Sequence, residues 1–369
     1  MKYLKTILLS PFAFIYGAIM TLRNWLYKSH FIGSTHFEIP VIAVGNLSVG
    51  GNGKTPFIEL LIELFYHQYN IAVLSRGYKR KTSGFMLVHS HHKATEVGDE
   101  PLMLKLKYPN VTVSVGEERV VAIPKLLSLQ PQTQVILLDD AFQHQSVRPD
   151  VNILLTAYDK PFYEDSILPL GSLREFASGK ERANIIVVTK CPENLGEQEQ
   201  TSIIKKIQPK QNQKIFFATQ LYFPAYHLFN PEERIDLNNK NNVYALITGI
   251  ANSTYIKNYV EVHSKSVVHF EFSDHHTFEL KELESIAKNY PELKTWITTE
   301  KDAVRLGIFK QWFDENGIKL YCLPIKTKLL SKNEQEFSTL LREYLKFYYN
   351  KTDIDSESVK NSESDNSIL

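Results

Sequence analysis

The chain has 369 residues, of which 43% are hydrophobic and 22% are charged, so it can bury a large core and is long enough for two domains. Its 42 Lys and Arg residues nearly balance its 41 Asp and Glu residues, which argues against nucleic acid as a partner. Neither of its two cysteines, Cys191 and Cys322, lies in a Cys-x-x-Cys or Cys/His cluster. This usage favours a reducing compartment and argues against a zinc site.

The first predicted element is an N-terminal helix, formed by the charge-free run "TILLSPFAFIYGAIMTL" at residues 6–22. A spanning helix needs about 20 apolar residues, and this run is slightly shorter and contains Pro11. We predict an uncleaved helix that dips into one leaflet or barely spans the bilayer. A signal peptide without a convincing cleavage site and a helix buried in the core are the alternatives. The side chains expected at the headgroup level are Arg23, Trp25, Tyr27 and Lys28.

A Gly-rich loop follows the first predicted strand in "PVIAVGNLSVGGNGKTPF", residues 40–57. In a P-loop, backbone N–H groups surround phosphate oxygens at a helix N-terminus, Lys adds charge, and Ser or Thr binds Mg²⁺. Ser48 stands where the standard pattern has its first Gly, and a Gly-rich turn without function is the alternative interpretation. We predict a nucleotide site that consists of Ser48, Val49, Gly50, Gly51, Asn52, Gly53, Lys54 and Thr55.

Short apolar runs alternate with helical stretches through the first half of the chain. Such continuous Val, Ile and Leu runs are typical of strands that are buried on both faces of a parallel sheet. The alternation therefore predicts an α/β domain of three layers. The predicted strands are residues 40–45, 71–75, 111–115, 135–138, 151–156 and 185–189.

Two pairs of carboxylates are candidates for chemistry. Asp139 and Asp140 end the apolar run of "VILLDDAFQHQ", as does the strand whose carboxylate holds Mg²⁺ in P-loop enzymes. Asp99 and Glu100 lie in "TEVGDEPLM", where an N-cap is the ordinary role of Asp. The alternative role for this second pair is a base and a metal-binding carboxylate.

Further polar residues follow predicted strands or lie in loops. Gln143 and His144 come just after Asp140, at the edge where open sheets bind ligands, and a structural role for His144 is the alternative. Guanidinium groups at such places could hold a phosphate or a sugar, although each alone is more often a solvated surface charge. These candidates are Arg76, Arg119 and Arg174.

The stretch "VVTKCP" bears on the choice of nucleotide. P-loop GTPases carry Asn/Thr-Lys-x-Asp after a strand, and the Asp reads guanine. Here Thr189 and Lys190 are followed by Cys191 and Pro192, so the carboxylate is missing. The sequence therefore favours ATP over GTP.

A second domain begins with "VYALITGI" and contains "EFSDHHTF" and "TWITTEKDAVRL". The two histidines of "DHH", His275 and His276, have no third metal ligand at a suitable spacing. An imidazole there could instead orient a carboxylate base across a cleft between domains. Residues Thr299, Lys301 and Asp302 suit a strand-to-helix turn that could help to close the nucleotide site.

Seven motifs occur in order along the chain, namely "VGNLSVGGNGKTP", "SRGY", "VGDEP", "LDDAFQH", "LPLGSLRE", "FSDHHTF" and "TEKDAV". With them the chain resembles the tetraacyldisaccharide 4'-kinases of lipid A biosynthesis, from the N-terminal apolar helix to about residue 345. The resemblance implies transfer of the γ-phosphate of ATP to the 4'-hydroxyl of a tetraacyldisaccharide 1-phosphate, which forms lipid IV-A. That family also uses Ser or Thr at the position of Ser48, so this chain conforms.

The resemblance also implies the architecture, which is a P-loop NTPase-like three-layer domain with a mostly parallel sheet, a β-ribbon linker, a smaller C-terminal α/β domain and an N-terminal membrane-associated helix. We place the helix at 1–28, the kinase domain at 29–215, the linker at 216–242 and the smaller domain at 243–349. Residues 350–369 lack aromatic residues and are rich in Ser, Asp and Asn, which predicts a disordered tail.

Site roles follow from the same resemblance, residue by residue. The catalytic dyad falls on Asp99 and His275, because the family motif leaves the position of His276 free. The catalytic assignment also includes Asp139 and Asp140, and Lys54 would contact the β- and γ-phosphates. The Mg²⁺ ligands implied are Thr55, Glu100 and Asp139, and the substrate-side residues implied are Arg76, Arg119, Gln143, His144 and Arg174.

The expected partners are a lipid A precursor and the membrane surface, without nucleic acid and without an obligate protein partner. We expect the inner membrane as the location, with the catalytic domains on the cytoplasmic side. Two competing functions are a membrane-tethered ATPase switch and a soluble small-molecule kinase. The "DHH" motif together with Asp99 argues against the switch, because a switch needs no base for a hydroxyl.

Overall fold

The computed structural model describes residues 2–238, 240–330 and 333–349, so the predicted disordered tail lies outside the described residues. The α-helices are α1 (Lys2–Lys28), α2 (Lys54–Phe65), α3 (Ala94–Val97), α4 (Asp99–Lys107), α5 (Arg119–Leu129), α6 (Glu197–Ile207), α7 (Thr254–His263), α8 (Leu280–Asn289), α9 (Glu300–Leu306), α10 (Lys310–Glu315) and α11 (333–349).

The β-strands are β1 (Val41–Asn46), β2 (Ile71–Ser75), β3 (Met86–Leu87), β4 (Thr112–Val115), β5 (Val135–Leu138), β6 (Val151–Ala157), β7 (Ile185–Thr189), β8 (Lys214–Tyr222), β9 (Ala225–His227), β10 (Asn230–Ile235), β11 (Val243–Thr248), β12 (Ser266–Glu271), β13 (Thr295–Thr299), β14 (Lys319–Leu323) and β15 (Ile325–Leu329). The six strands predicted from apolar runs are all present.

The first sheet has the order β15-β8-β7-β6-β1-β5-β2-β4-β3. It is parallel except at its two ends, where β15 and β3 run antiparallel to their neighbours. Every residue of β1, β2, β5, β6 and β7 is buried, as expected for a sheet that helices cover on both faces. The predicted α/β fold with a mostly parallel sheet is confirmed.

The second sheet has the order β10-β9-β14-β13-β11-β12 and is parallel from β14 to β12. Its core is built around the fully buried Trp296 and Phe313. The "DHH" turn follows β12, and α9 follows β13 directly. Because the carboxyl ends of parallel strands share one edge, the sheet presents the turn and the start of α9 together.

Two strands connect the sheets. β8 and β15 pair antiparallel at the end of the first sheet. The chain leaves the first sheet from β8 into β9 and returns from β14 into β15, in each case within three residues. The predicted linker at 216–242 therefore begins inside β8. Residues 325–329 and 333–349, which the sequence predicts in the smaller domain, lie on the first sheet.

The last helix, α11, belongs to the core of the first sheet. Its side chains Phe337, Leu341 and Leu345 are buried there, and the Phe337 ring meets the Phe57 ring edge-on at 5.9 Å. The apolar face of α11 finds its partner only after the chain has returned from the second sheet. The sequence pattern of α11 identifies an amphipathic helix and does not specify which sheet it covers.

Candidate active site

The glycine-rich loop links the end of β1 to the start of α2. Gly50 and Gly53 have φ values of 122° and 77°, a region that side chains strongly disfavour. A Cβ atom added to Gly53 would also lie 2.9 Å from Nε2 of Gln220. The first amides of α2 have no partner inside the helix, so the loop and the helix start together offer donors for an anion.

Ser48 and Asn52 brace this loop from within. Both side chains are buried, and Asn52 Nδ2 donates a hydrogen bond of 2.8 Å to Ser48 Oγ. The Val49 amide donates to the Ser172 carbonyl at 2.7 Å, so its N–H points to the neighbouring loop and not into the cradle. The predicted phosphate site therefore includes two residues, Ser48 and Val49, whose observed contacts shape the loop.

Lys54 lies at the first position of α2 and reaches the carboxyl edge of the sheet. Its Nζ atom donates to Asn46 Oδ1 at 3.2 Å and lies 3.5 Å from Asp140 Oδ1. Thr55 follows in the same turn and is half-buried. The structure thus brings the predicted lysine and one predicted carboxylate together.

Asp139 is buried directly after β5. Its Oδ2 accepts from Ser75 Oγ at 3.2 Å, whereas Oδ1 is buried without a hydrogen-bond partner. Burial raises the pKa of Asp139 to about 7, and the negative charges of Glu100 and Asp140 add to this effect. A buried carboxylate oxygen without a partner, close to other carboxylates, fits a hard cation such as Mg²⁺.

Asp140 has the opposite electrostatic balance. Burial opposes its ionisation, but Lys54 and then Arg174 outweigh burial and lower the pKa of Asp140. Arg174 Nη1 lies 3.1 Å from Asp140 Oδ1 and 3.2 Å from Gln143 Oε1. Three predicted site residues therefore form one hydrogen-bonded group.

Arg119 differs from its predicted role on the substrate side. Its side chain is fully buried and donates to the carbonyl oxygens of Gly116 and Asp139. A guanidinium sealed in this way supports the backbone of Asp139 and has no surface to offer a ligand. Arg76, by contrast, is exposed just after β2.

His144 lies close to these arginines. Burial, with the positive charges of Arg119 and Arg76, lowers the pKa of His144 to about 4. Its imidazole is therefore neutral at physiological pH. A neutral ring can donate or accept a hydrogen bond but adds no charge to an anion site.

The residues of the two sheets meet at Asp99 and His275, which are 176 positions apart. Asp99 begins α4 and is 6% exposed. His275 Nδ1 lies 2.9 Å from Asp99 Oδ2 and 3.1 Å from Oδ1. Burial opposes the charge of Asp99, but the His275 hydrogen bond and Lys301 lower the pKa of Asp99 overall. The predicted dyad is thus in hydrogen-bond contact.

Lys301 completes this contact and was given no such role from the sequence. Its Nζ lies 3.0 Å from His275 Nε2 and 3.1 Å from Glu100 Oε1. An ammonium can only donate, so His275 Nε2 accepts and Nδ1 carries the proton that is donated to Asp99.

Arg305 and Asp302 hold the turn that carries His275. Arg305 donates to the carbonyl oxygens of Gly249 and His276 at 3.0 Å and 2.9 Å, and it pairs with Asp302. His275 has a left-handed backbone with φ 60°, a conformation that needs such support. The neighbouring His276 pairs instead with Glu282 at 2.9 Å, outside the dyad.

The N-terminal helix also reaches the site. Arg23 Nη2 donates to the Gln143 carbonyl at 2.6 Å, and Asn24 Nδ2 donates to Glu175 Oε2 at 2.7 Å. Glu175 is fully buried and also pairs with Arg182 at 2.7 Å. Arg23, which the sequence predicts at the headgroup level, therefore also joins α1 to the site. The sequence indicates this link only by the two polar residues, Arg23 and Asn24, that directly follow the apolar run.

The outer face of α1 is apolar and open. Residues Thr6–Lys28 form a helix that is long and apolar enough to cross a membrane, and 11% of its most apolar window is buried. Phe14, Ile7 and Leu8 are 77%, 71% and 69% exposed. The inner face packs on the loop that carries Arg174, since Tyr16 donates to the Arg174 carbonyl at 2.9 Å.

Comparison with known proteins places the chain in a family. Residues 5–346 match the family LpxK, described as tetraacyldisaccharide-1-P 4'-kinase. A tetraacyldisaccharide 4'-kinase from Flavobacterium johnsoniae is 43% identical over 347 residues, which cover 94% of this chain and 98% of the relative. One from Bacteroides thetaiotaomicron is 38% identical over 352 residues, which cover 92% and 93%.

A solved structure agrees with this result. The crystal structure of LpxK from Aquifex aeolicus in complex with ATP matches with a TM-score of 0.69 and 27% identity. The match covers 91% of this chain and 98% of that chain. From these matches over nearly its whole length, the chain belongs to the tetraacyldisaccharide-1-P 4'-kinase family.

Proposed function

We propose that the chain transfers the γ-phosphoryl group of ATP to the 4'-hydroxyl of a tetraacyldisaccharide 1-phosphate and so forms lipid IV-A. The observation that carries this proposal is the Asp99–His275 hydrogen bond of 2.9 Å between the two sheets. A P-loop alone serves many reactions, whereas a buried carboxylate oriented by an imidazole beside it suits deprotonation of a hydroxyl.

The phosphates of ATP would bind at the start of α2. The loop amides and Lys54 would hold the β- and γ-phosphates, and Arg174 would steady Asp140 beside them. The missing guanine-reading carboxylate in "VVTKCP" supports ATP as the donor. In that stretch, Thr189 Oγ1 donates to the Asn52 carbonyl at 2.9 Å, which ties the end of β7 to the loop.

The transfer forms one bond and breaks one. The 4'-oxygen bonds to the γ-phosphorus, the bond from γ-phosphorus to the bridging oxygen breaks, and ADP leaves with that oxygen. The hydroxyl proton passes to a carboxylate oxygen of Asp99. The transition state of phosphoryl transfer is loose, so the acceptor hydroxyl loses its proton late in the reaction. A base of low pKa is therefore sufficient. His275 keeps the accepting carboxylate oriented.

Asp139, Glu100 and Thr55 would hold Mg²⁺ in this scheme. The buried, unpartnered Oδ1 of Asp139 supports that assignment. When bound, the ion neutralises charge that develops on the phosphates. Lys301 would then share Glu100 with the ion and link the metal side of the site to His275.

The membrane side supports a lipid acceptor. An apolar groove of about 500 Å³ lies between α1 and Phe176, two residues after Arg174 in the chain. One acyl chain would fit such a groove, with the sugar directed toward Asp140 and Asp99. This placement predicts the inner membrane as the location, with the ATP site on the cytoplasmic side, and requires no nucleic acid or obligate protein partner. The groove is lined by Phe14, Ala18, Thr21, Leu22, Trp25 and Phe176.

The test is a transfer assay in detergent with labelled ATP, Mg²⁺ and a disaccharide 1-phosphate lipid precursor. We expect label on the lipid, and we expect Asp99→Asn to lose about a hundredfold or more in kcat while it still binds ATP. Asp314→Asn makes the same change at an exposed position of α10 and serves as the control. Label released only as free phosphate would overturn the lipid kinase assignment, and full activity of Asp99→Asn would overturn the base.

A further inference from the structure

A buried ion cluster lies between three helices, apart from the reacting groups. Lys107 Nζ lies 2.6 Å from Glu59 Oε2 and 2.6 Å from Glu300 Oε1. Glu59 is 3% exposed and Glu300 is 8% exposed. We call these three residues the Lys107 triad. Both contacts are short, and Lys107 is half-buried between its two buried partners.

Each member of the triad stands on a helix that carries a site residue. Glu59 is on α2, which begins at Lys54, and Lys107 ends α4, which begins at Asp99. Glu300 is the first residue of α9 and is followed by Lys301, the contact of His275. One ammonium therefore joins the phosphate-binding helix, the helix of the base and the helix that supports the imidazole.

Two of these helices belong to the first sheet and one to the second, so the triad crosses the cleft. Glu300 also accepts a hydrogen bond from the Ile325 amide at 3.3 Å through its other oxygen, Oε2. Ile325 is the first residue of β15, the strand that returns to the first sheet. Glu300 thus touches both a helix across the cleft and the returning connection.

The charges of the triad make its geometry demanding. Two buried carboxylates share one ammonium, and burial, reinforced by Glu300, raises the pKa of Glu59 to about 7 against the pull of Lys107. Buried charges are costly unless they are paired in good geometry. Any separation of the sheets that pulls Glu300 away leaves one buried carboxylate without its cation. In some proteins, polar groups buried in this way set the register between packed elements.

We propose that the Lys107 triad is a positioning device for phosphoryl transfer, which holds the second sheet against the first so that His275 and Lys301 meet Asp99 and Glu100. The inference rests on the proposed function and deepens it. The triad touches neither donor nor acceptor, and its three members act through the alignment of the Asp99–His275 contact.

The first test is Glu300→Gln, which breaks the pair across the cleft and leaves Lys107 with Glu59 as a balanced pair. We expect kcat to fall about ten- to a hundredfold, as for small misplacements of catalytic groups, with KM for ATP changed by less than about twofold. Lys107→Met is the second variant. Lys105→Met is the control, because it removes the same charge from the same helix, and Lys105 Nζ donates to the carbonyl oxygens of Pro109 and Val111, outside the triad.

The second test asks whether the triad works through the dyad. In a His275→Ala background, Glu300→Gln should lower kcat by no more than about twofold further. The Asp99–His275 contact that the triad aligns is already absent in that background. Losses that multiply in the double variant would overturn the proposal, and so would a Glu300→Gln enzyme with unchanged kcat. A merely structural role would lower the amount of folded enzyme and leave kcat per folded molecule intact.

A third measurement does not depend on the lipid reaction. The distance between the sheets can be measured by electron paramagnetic resonance between two spin labels. The labels are attached at Gln132→Cys and Glu284→Cys, which are exposed positions on the two sides of the cleft. We expect a single narrow distance in the parent and a broadened, longer distribution with Glu300→Gln, while Lys105→Met stays narrow. An unchanged distribution would overturn the triad's role. If the parent failed to phosphorylate lipid while Glu300→Gln still broadened the distance, the proposed function would fail and only the alignment of the two sheets by the triad would stand.

Discussion

Ser48 allows the sharpest test of how this phosphate loop is built. The standard P-loop has Gly at this position, so Ser48→Gly would restore the common pattern. We expect the opposite of a restoration. Ser48 is not among the described residues with positive φ, so its backbone does not require Gly, and its hydroxyl accepts the Asn52 amide at 2.8 Å.

The expected cost has two parts. Asn52 is 7% exposed, so removing its acceptor leaves a buried donor unsatisfied at about 1–3 kcal/mol. The added backbone freedom of Gly costs about 0.5–1 kcal/mol more. The free energy of unfolding should therefore fall by roughly 1.5–4 kcal/mol. The loop of the Ser48→Gly variant would also have to become ordered when ATP binds. We therefore expect the Kd for ATP to rise by about tenfold.

The assays are urea unfolding and calorimetric ATP binding. Ser48→Thr keeps the hydroxyl and should retain most of the free energy of unfolding. Ser48→Ala should show the cost of the lost hydrogen bond without the cost of the added backbone freedom of Gly. The double variant Ser48→Ala, Asn52→Ala should be less destabilised than the sum of the single variants, because no buried donor remains. If Ser48→Gly were as stable as the parent and bound ATP equally well, the bracing role of Ser48 would be refuted.

Three further outcomes are expected. Lys301→Met should lower kcat about tenfold or more with little change in KM for ATP, in a steady-state lipid kinase assay, and an unaltered kcat would remove Lys301 from the support of His275. Phe337→Ala should lower the free energy of unfolding by about 3–5 kcal/mol in urea melts, and a loss below about 1 kcal/mol would contradict the burial of α11 on the first sheet. Phe14→Ser and Leu8→Ser together should shift the protein from the membrane pellet to the supernatant on sedimentation, with unchanged pelleting as the opposing result.

Local patterns identified much of the molecule because they encode local structure. The six strands, the phosphate loop and the apolar helix were all predicted from short runs, and the α/β class and the family are confirmed. The pairing of Asp99 with His275 came from the resemblance alone. No spacing rule links residues that lie 176 positions apart.

The contacts of other residues do not follow from the sequence, because burial is not a local property. Arg119 has the sequence context of a surface arginine, yet it is fully buried beneath Asp139. Arg23 has the context of a headgroup anchor, yet it donates to Gln143. The role of Arg119 follows from the resemblance and that of Arg23 from its neighbours in the chain, whereas the packing of α5 and α1 determines where their guanidinium groups lie.

The amino-acid sequence alone specifies which segments become strands and where the phosphate loop begins, since hydrophobic period and glycine conformation act over a few residues. The same holds for Ser48, which can replace Gly in the loop because its own backbone does not have a positive φ. The placement of Lys301 against His275, of Lys107 between two carboxylates and of α11 on the first sheet follows only from the folded chain. These contacts join residues from both sheets, and their energies depend on burial and distance, which arise only when the sheets pack together.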